Sequence, residues 1–295
     1  MSVLFVVRFC IGSGKSMSGS VMLFLALHVT FQIKPSTRAA PIDCTKNTAV
    51  CLEEIIKKIT QVRYEVNILM GNKKLASSKN CAELYKSGRR VSGVYTIDPD
   101  GSGAFNVYCD QTTAGGGWAV FQKRLDGSVD FNRTWNDYKH GFGNLVGEFW
   151  LGLDKINRLT RNKTYNKLRV DLGVVTGKTV HAEYDWFGIG TEMAEYRLYI
   201  SNITDATNSS DPLGYHRDFV FGTLDRNPAD CDQKRSGGWW YGNSTCTLLS
   251  NLNAIYLRCG NEIGPKIHWG YLVGNSAKDS APTSTQMKIR PVDFF

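Results

Sequence analysis

The sequence has no Cys-x-x-Cys pair and no clustered cysteine and histidine spacing, so the usual ligand frames of structural zinc are missing. Neither G-x-S-x-G nor H-E-x-x-H occurs, which removes the nucleophile elbow and the zinc-protease helix. IGSGKS at Ile11–Ser16 lacks the first glycine of a phosphate loop. Histidine is scarce, with five in 295 residues, and His140, His181, His216 and His268 read as turn or strand residues making local hydrogen bonds. No nucleophile is visibly paired with any of them, so the chain reads as a binding module and not as an enzyme. A collagen-like Gly-x-y repeat is also missing, which excludes a collagenous stalk. Basic residues outnumber acidic ones by 35 to 27, for a net charge of +8, yet they are interspersed and form no run, so no nucleic-acid partner is implied. With 42% hydrophobic and 12% aromatic residues, the chain can bury a core and is not disordered throughout.

Cysteine itself is plentiful. Eight cysteines without metal spacing point to disulfides formed in an oxidising compartment. Five Asn-x-Ser/Thr sequons, at Asn132, Asn162, Asn202, Asn208 and Asn243, agree with passage through the secretory pathway. Val21–Phe31 is an apolar stretch of signal-peptide length with Lys15 upstream, and Ala39 or Ala40 suits cleavage. Residues 1–40 are therefore expected to be a signal peptide and the product to be secreted and extracellular. The competing reading joins Met1–Ile11 to the same stretch as a signal anchor that holds the chain on the membrane.

Residues 41–79 begin with Cys44 and Cys51. Apolar side chains then recur at Leu52, Ile55, Ile59, Val62, Val66 and Leu69, alternating spacings of three and four. That period predicts a short coiled coil, with Glu53, Glu54, Lys57 and Lys58 off the seam. A homo-oligomer locked by Cys44 and Cys51 follows from it, against the alternative of an amphipathic helix lying on its own domain with these two cysteines bridged. Gly71 to Lys79 reads as a linker.

Residues 80–295 alternate differently. Cys81 and Cys109 bracket a predicted hairpin, GVYTIDP, the turn Asp100–Gly103 and AFNVYCD, closed by a disulfide. Gly115–Gly117 reads as a turn into the buried strand WAVFQKR, and EFWLGLDKINRLT as an amphipathic helix on Phe149, Leu153, Ile156 and Leu159. YNKLRVDLGV, TVHAEYDWFGIG and AEYRLYI alternate as antiparallel strands, so the fold class is α+β.

Within this region Asp126–Thr160 mixes aromatics, glycines and charges too densely for an ordinary element. Together with GGGWAVFQKR at Gly115–Arg124, GGWWY at Gly237–Tyr241, LSNLNAIY at Leu249–Tyr256 and MKIRP at Met287–Pro291, it resembles the fibrinogen C-terminal domain family. The resemblance covers residues 80–295. It implies a central antiparallel sheet with short helices and a loop-rich C-terminal part, divided near 81–120, 121–195 and 196–295. It further implies a second disulfide, Cys231 to Cys246, and a calcium loop within Leu213–Cys231. There Asp225 is present, but Asn227 replaces the usual second aspartate and the loop is short, so weak binding or none is expected. Asp225 and Asn227 are the metal candidates, with a tight Asx turn at Asp225 as the structural alternative.

In relatives that recognise acetylated sugars, a histidine follows the second cysteine. Thr247 stands there in this chain, and an insertion carrying the Asn243 sequon precedes Cys246. Tyr241, Thr247, Tyr256 and Trp269 remain the ligand-binding candidates by resemblance, with Tyr271 beside them, whereas Trp239 and Trp240 read as core. Cys259 has no partner in the family pattern and joins Cys44 and Cys51 as an interchain candidate. Two functions follow from the resemblance. One is a lectin-like protein binding glycans or acetylated groups on microbial or cell surfaces; the other is a matrix or growth-factor-like ligand, similar to tenascin or angiopoietin tips, for a protein receptor.

Overall fold

In the computed structural model the described residues are 78–161, 165–207, 210–226, 236–241, 249–256, 267–270, 272 and 281–294. The expected signal segment, the coiled coil, Cys44, Cys51, Cys231, Cys246, Cys259, Asn227, Thr247, Tyr271 and the sequon residues Asn162, Asn208 and Asn243 lie outside them.

Among the described residues fourteen strands and three α-helices follow in order: α1 Cys81–Lys86, β1 Gly93–Ile97, β2 Phe105–Asp110, β3 Trp118–Arg124, α2 Trp135–His140, β4 Phe142–Gly143, β5 Phe149–Trp150 and α3 Leu153–Thr160. Then come β6 Asn166–Gly173, β7 Thr179–Ile189, β8 Leu198–Ile200, β9 Ile203–Ala206, β10 Val220–Gly222, β11 Trp239–Tyr241, β12 Ser250–Asn251, β13 His268–Trp269 and β14 Ser284–Pro291. Ten strands form one antiparallel sheet whose spine runs β1-β2-β3-β14-β6-β7-β8, with β5 extending the β2 edge of β3 and β9 continuing the β8 edge of β7.

Alternation explains this sheet. Along β6, Leu168, Val170 and Leu172 point into the core while Lys167, Arg169 and Asp171 take the other face. On that polar face Lys288 of β14 is buried between Asp110 of β2 and Asp171 of β6. Burial alone would raise the Asp110 pKa, but the charge and hydrogen bond of Lys288 win and hold it below the usual carboxylate range.

The predicted hairpin forms in register, Gly93 opposite Cys109 and Ile97 opposite Phe105. The Cys81–Cys109 disulfide ties it to α1, closing a loop whose ends are 28 residues apart in sequence. A loop of that size removes about 3–4 kcal/mol of unfolded-state entropy. Arg158 of α3 fixes the turn by pairing with Asp98 and Asp100 and donating to the Gly103 carbonyl.

Two sequence expectations change. The helix expected from Phe149 begins only at Leu153, because Phe149 and Trp150 pair with β3 and β4 as strand. Gly141 and Gly152, both at positive φ, let two backbones touch there: a Cβ on either would strike the other segment's carbonyls. The part expected at 196–295 also contributes a strand to the central sheet. β14, the last strand, returns to the middle of the sheet between β3 and β6.

The signature segment Asp126–Thr160 joins the sheet to the loop-rich part. Its charged residue Glu148, buried, accepts at Oε1 from the amides of Leu125, Asp126 and Gly127 and at Oε2 from that of Val129. Its aromatics form a chain of rings: Trp150 lies edge-on to Phe121 of β3 and near Trp240 of β11, and Tyr138 packs on Phe221 of β10. Truncating such a ring to alanine costs about 3–5 kcal/mol.

Candidate recognition surface

The loop-rich part has little regular structure, so polar side chains must supply order that backbone ladders do not. His216 is the clearest case. Fully buried, it donates from Nδ1 to the Trp240 carbonyl at 2.8 Å and accepts at Nε2 from the Ser250 amide at 3.3 Å. Burial, reinforced by His268 and only partly offset by the Trp240 bond, pushes its pKa down to about 4. The ring is therefore neutral at physiological pH, as both bonds require. It fastens β11 to β12, and β12 pairs with β13 through Ser250–Trp269 and Asn251–His268.

Asn251 donates to the Ser236 carbonyl and to Tyr241 Oη, and Asn253 donates to the Gly238 carbonyl. Gly237 takes positive φ against Asn253, where a Cβ would collide with its carbonyl. Gln122 and Arg124 of β3 reach across to the carbonyls of Leu252 and Ala254. The LSNLNAIY motif is thus an internal polar anchor.

These anchors decide where the expected ligand residues lie. Tyr241 is 2% exposed, and its hydroxyl donates to the Gly237 carbonyl at 2.6 Å. Trp269 is 3% exposed. Tyr256 is half-buried, with its hydroxyl bonded to the carbonyls of Leu125 and Thr283 and its ring beside Arg124. Trp239 and Trp240 are core, as their sequence context implied. The side chains offered to solvent are others. Tyr215 next to His216 and Leu249 next to Ser250 are exposed, and His268 opposite Asn251 is partly exposed; these three side chains, on elements fastened around His216, make up the candidate rim. Sequence patterning did not find this rim, because an exposed Tyr or Leu in an irregular loop has no periodic signal.

Asp225, the calcium candidate, makes local hydrogen bonds through Oδ1. Its Oδ1 accepts from the Trp135 amide at the start of α2 and from the Thr223 hydroxyl, each at 2.8 Å. Burial opposes ionisation, but these bonds and the nearby Arg226 lower its pKa. Arg226 in turn lies over the Trp135 ring and pairs with Glu195. Among the described residues no group of three or more His, Cys, Asp or Glu side chains could hold a metal. The described part of this loop anchors the start of α2, and the rest of the candidate calcium loop, from residue 227 on, lies outside the described residues. Of the sequons, Asn132 is exposed with its Oδ1 near the Gly237 amide, and Asn202 is exposed beside Arg217.

The sheet, the returning last strand and the aromatic chain match known folds. Residues 77–292 fit the description of fibrinogen beta and gamma chains, C-terminal globular domain. The chain belongs to this family. It is 40% identical over 224 residues to human angiopoietin-related protein 7, covering 73% of this chain and 62% of that protein. It is 41% identical over 206 residues to fibrinogen-like protein A of Apostichopus parvimensis, covering 68% and 69%, and 36% identical over 224 residues to human angiopoietin-2, covering 74% and 44%. The chain thus spans about three fifths of the length of the angiopoietin-related relatives it matches. Among solved structures it resembles the fibrinogen-like globe domain of human ANGPTL2, with a TM-score of 0.65 and 35% identity over 72% of this chain and 99% of that one. It also resembles lamprey fibrin D-dimer complexed with the peptide ligand Gly-His-Arg-Pro-amide, with a TM-score of 0.62 and 26% identity over 83% and 88%.

Proposed function

We propose that this chain is a secreted, non-catalytic recognition protein whose globe docks on a protein receptor through the rim of Tyr215, Leu249 and His268. The observation that carries this reading is the exchange of exposure in the loop-rich part. Tyr241 and Trp269, which a sugar site would need as open flat faces, are inside the fold, while Tyr215 and Leu249 stand out in solvent. An exposed leucine and tyrosine with a partly exposed histidine suit a protein surface better than a sugar, whose hydroxyls call for several convergent polar groups. Kinship with angiopoietin-named proteins supports the same choice, as does a peptide ligand bound to a globe of this fold in lamprey fibrin. Residues 41–79 would add avidity if they oligomerise as their heptad pattern implies.

A lectin-like function is the competing outcome. It is tested by passing the secreted chain over acetylated-sugar resin with calcium and with chelator. Release in the void volume under both conditions agrees with the receptor reading, whereas retention reversed by free acetylated sugar contradicts it.

A further inference from the structure

The β6–β7–β8 side of the large sheet carries a row of aromatics, two of them exposed. The register of β6 on β7 slips between Asn166 and Leu168, so that Asp185 and Trp186 both fall opposite Lys167. The extra residue turns Trp186 outward, 37% exposed, while its neighbours Tyr184 and Phe187 stay in the core. Its ring stacks on Tyr199 of β8 at 6.3 Å and meets Tyr165, 65% exposed, at 6.5 Å. One exposed aromatic is ordinary on a protein surface, but Tyr165 and Trp186, both exposed and joined in one row by half-buried Tyr199, form an aromatic patch that a covering group would shield.

We propose that the Tyr165–Trp186–Tyr199 row is the seat of an N-linked glycan carried on Asn202, the sugar being the part of the molecule that covers it. Asn202-Ile203-Thr204 is an acceptor sequence three residues beyond Tyr199. Asn202 follows the residue hydrogen-bonded to Trp186 in both directions: the Ser201 amide donates to the Trp186 carbonyl at 2.9 Å, and the Trp186 amide donates to Ser201 Oγ at 3.3 Å. The Asn202 side chain is exposed, and Arg217 holds its Oδ1 at 2.9 Å, leaving Nδ2 as the end that takes the sugar. In the transfer, Nδ2 bonds to C1 of the first sugar, the amide loses one proton, and the diphosphate-linked lipid carrier of the oligosaccharide donor leaves. The apolar face of a sugar ring then lies on the aromatic faces, with its hydroxyls toward water and toward Lys167 and Asp185. The inference rests on entry into the secretory pathway and is independent of which ligand the rim binds.

The test uses the full chain secreted from mammalian cells, with Asn162→Gln throughout to remove the sequon that precedes Tyr165. Peptide mapping reads Asn202 occupancy, and thermal melts compare the parent, Asn202→Gln, Trp186→Ser and the double variant. Thr204→Ala removes the glycan while keeping the Asn202–Arg217 bond. The expected result is an occupied Asn202, a fall in Tm of about 2–4 °C for Asn202→Gln and Thr204→Ala, and no further fall when Asn202→Gln is added to Trp186→Ser. An unoccupied Asn202, or an equal fall in both backgrounds, overturns the proposal. So does a dimer that Trp186→Ser dissociates, because a second copy would then be the cover. If Trp186→Ser is not secreted, Tyr199→Ser serves as the second background.

Discussion

Inside the loop-rich part, His216 donates from Nδ1 to the carbonyl of Trp240 at 2.8 Å. This bond and the Ser250 amide bonded to Nε2 hold together segments that have no long ladder of their own. Both need a neutral ring, so the contact makes stability depend on pH.

His216 has an ordinary pKa of 6.5 and a folded value of about 4. Its stabilising contribution is therefore complete above pH 6.5 and is lost as pH falls toward 4, because the unfolded chain takes up a proton that the folded one refuses. The loss across that window is about 3 kcal/mol. Denaturant melts at pH 7 and pH 4 should show it. In His216→Gln, stability at pH 7 should fall by about 1–3 kcal/mol and the slope between these pH values should flatten. An unchanged slope in the variant would show that other groups carry the dependence.

Glu148 is a second single-residue dependency. Four amides converge on its two oxygens, and Arg124 lies 3.7 Å from Oε1. Glu148→Gln puts a donor where Oε2 accepts from Val129 and removes the charge, which should cost about 2–3 kcal/mol. Amides 125–129 should then exchange hydrogen faster than the β6–β7 core. A uniform change in exchange over the whole domain would count against a local anchor.

For Asp225 the expectation concerns metal. Its Oδ1 serves the Trp135 amide, so Asp225→Ala should remove a helix-start bond worth about 1 kcal/mol and lower Tm by about 2–4 °C. The size of that fall should be the same in calcium and in chelator, and neither should move the parent. A chelator-dependent fall in the parent that vanishes in Asp225→Ala would establish a calcium site.

Much of the scaffold could be read from sequence, since alternation at Leu168, Val170 and Leu172 is a direct record of one buried face. The Cys81–Cys109 hairpin was equally visible, because turn residues and strand period agree there. Less visible was the start of α3. Phe149 fits a helical spacing with Leu153, yet strand pairing to β3 overrides it, a long-range effect that local pattern does not contain. The placement of β14 at the sheet centre is of the same kind. In the recognition part, Tyr241 and Trp269 suited a ligand by residue type, and only the hydrogen bonds of Asn251 and His216 show that they face inward. Glu148 left no sequence signal, because its partners are backbone amides.

Receptor docking through the rim is tested most directly by binding of the secreted chain to intact cells. Three comparisons are needed: cells shaved with protease, cells stripped of glycans, and the chain with Tyr215→Asp and Leu249→Asp at unchanged Tm. Docking on a protein receptor requires that protease abolish binding, that glycan removal leave it within about twofold, and that the double variant weaken it at least about tenfold, a loss of roughly 1.4 kcal/mol. Binding that survives protease but disappears with glycan removal or free acetylated sugar would contradict it.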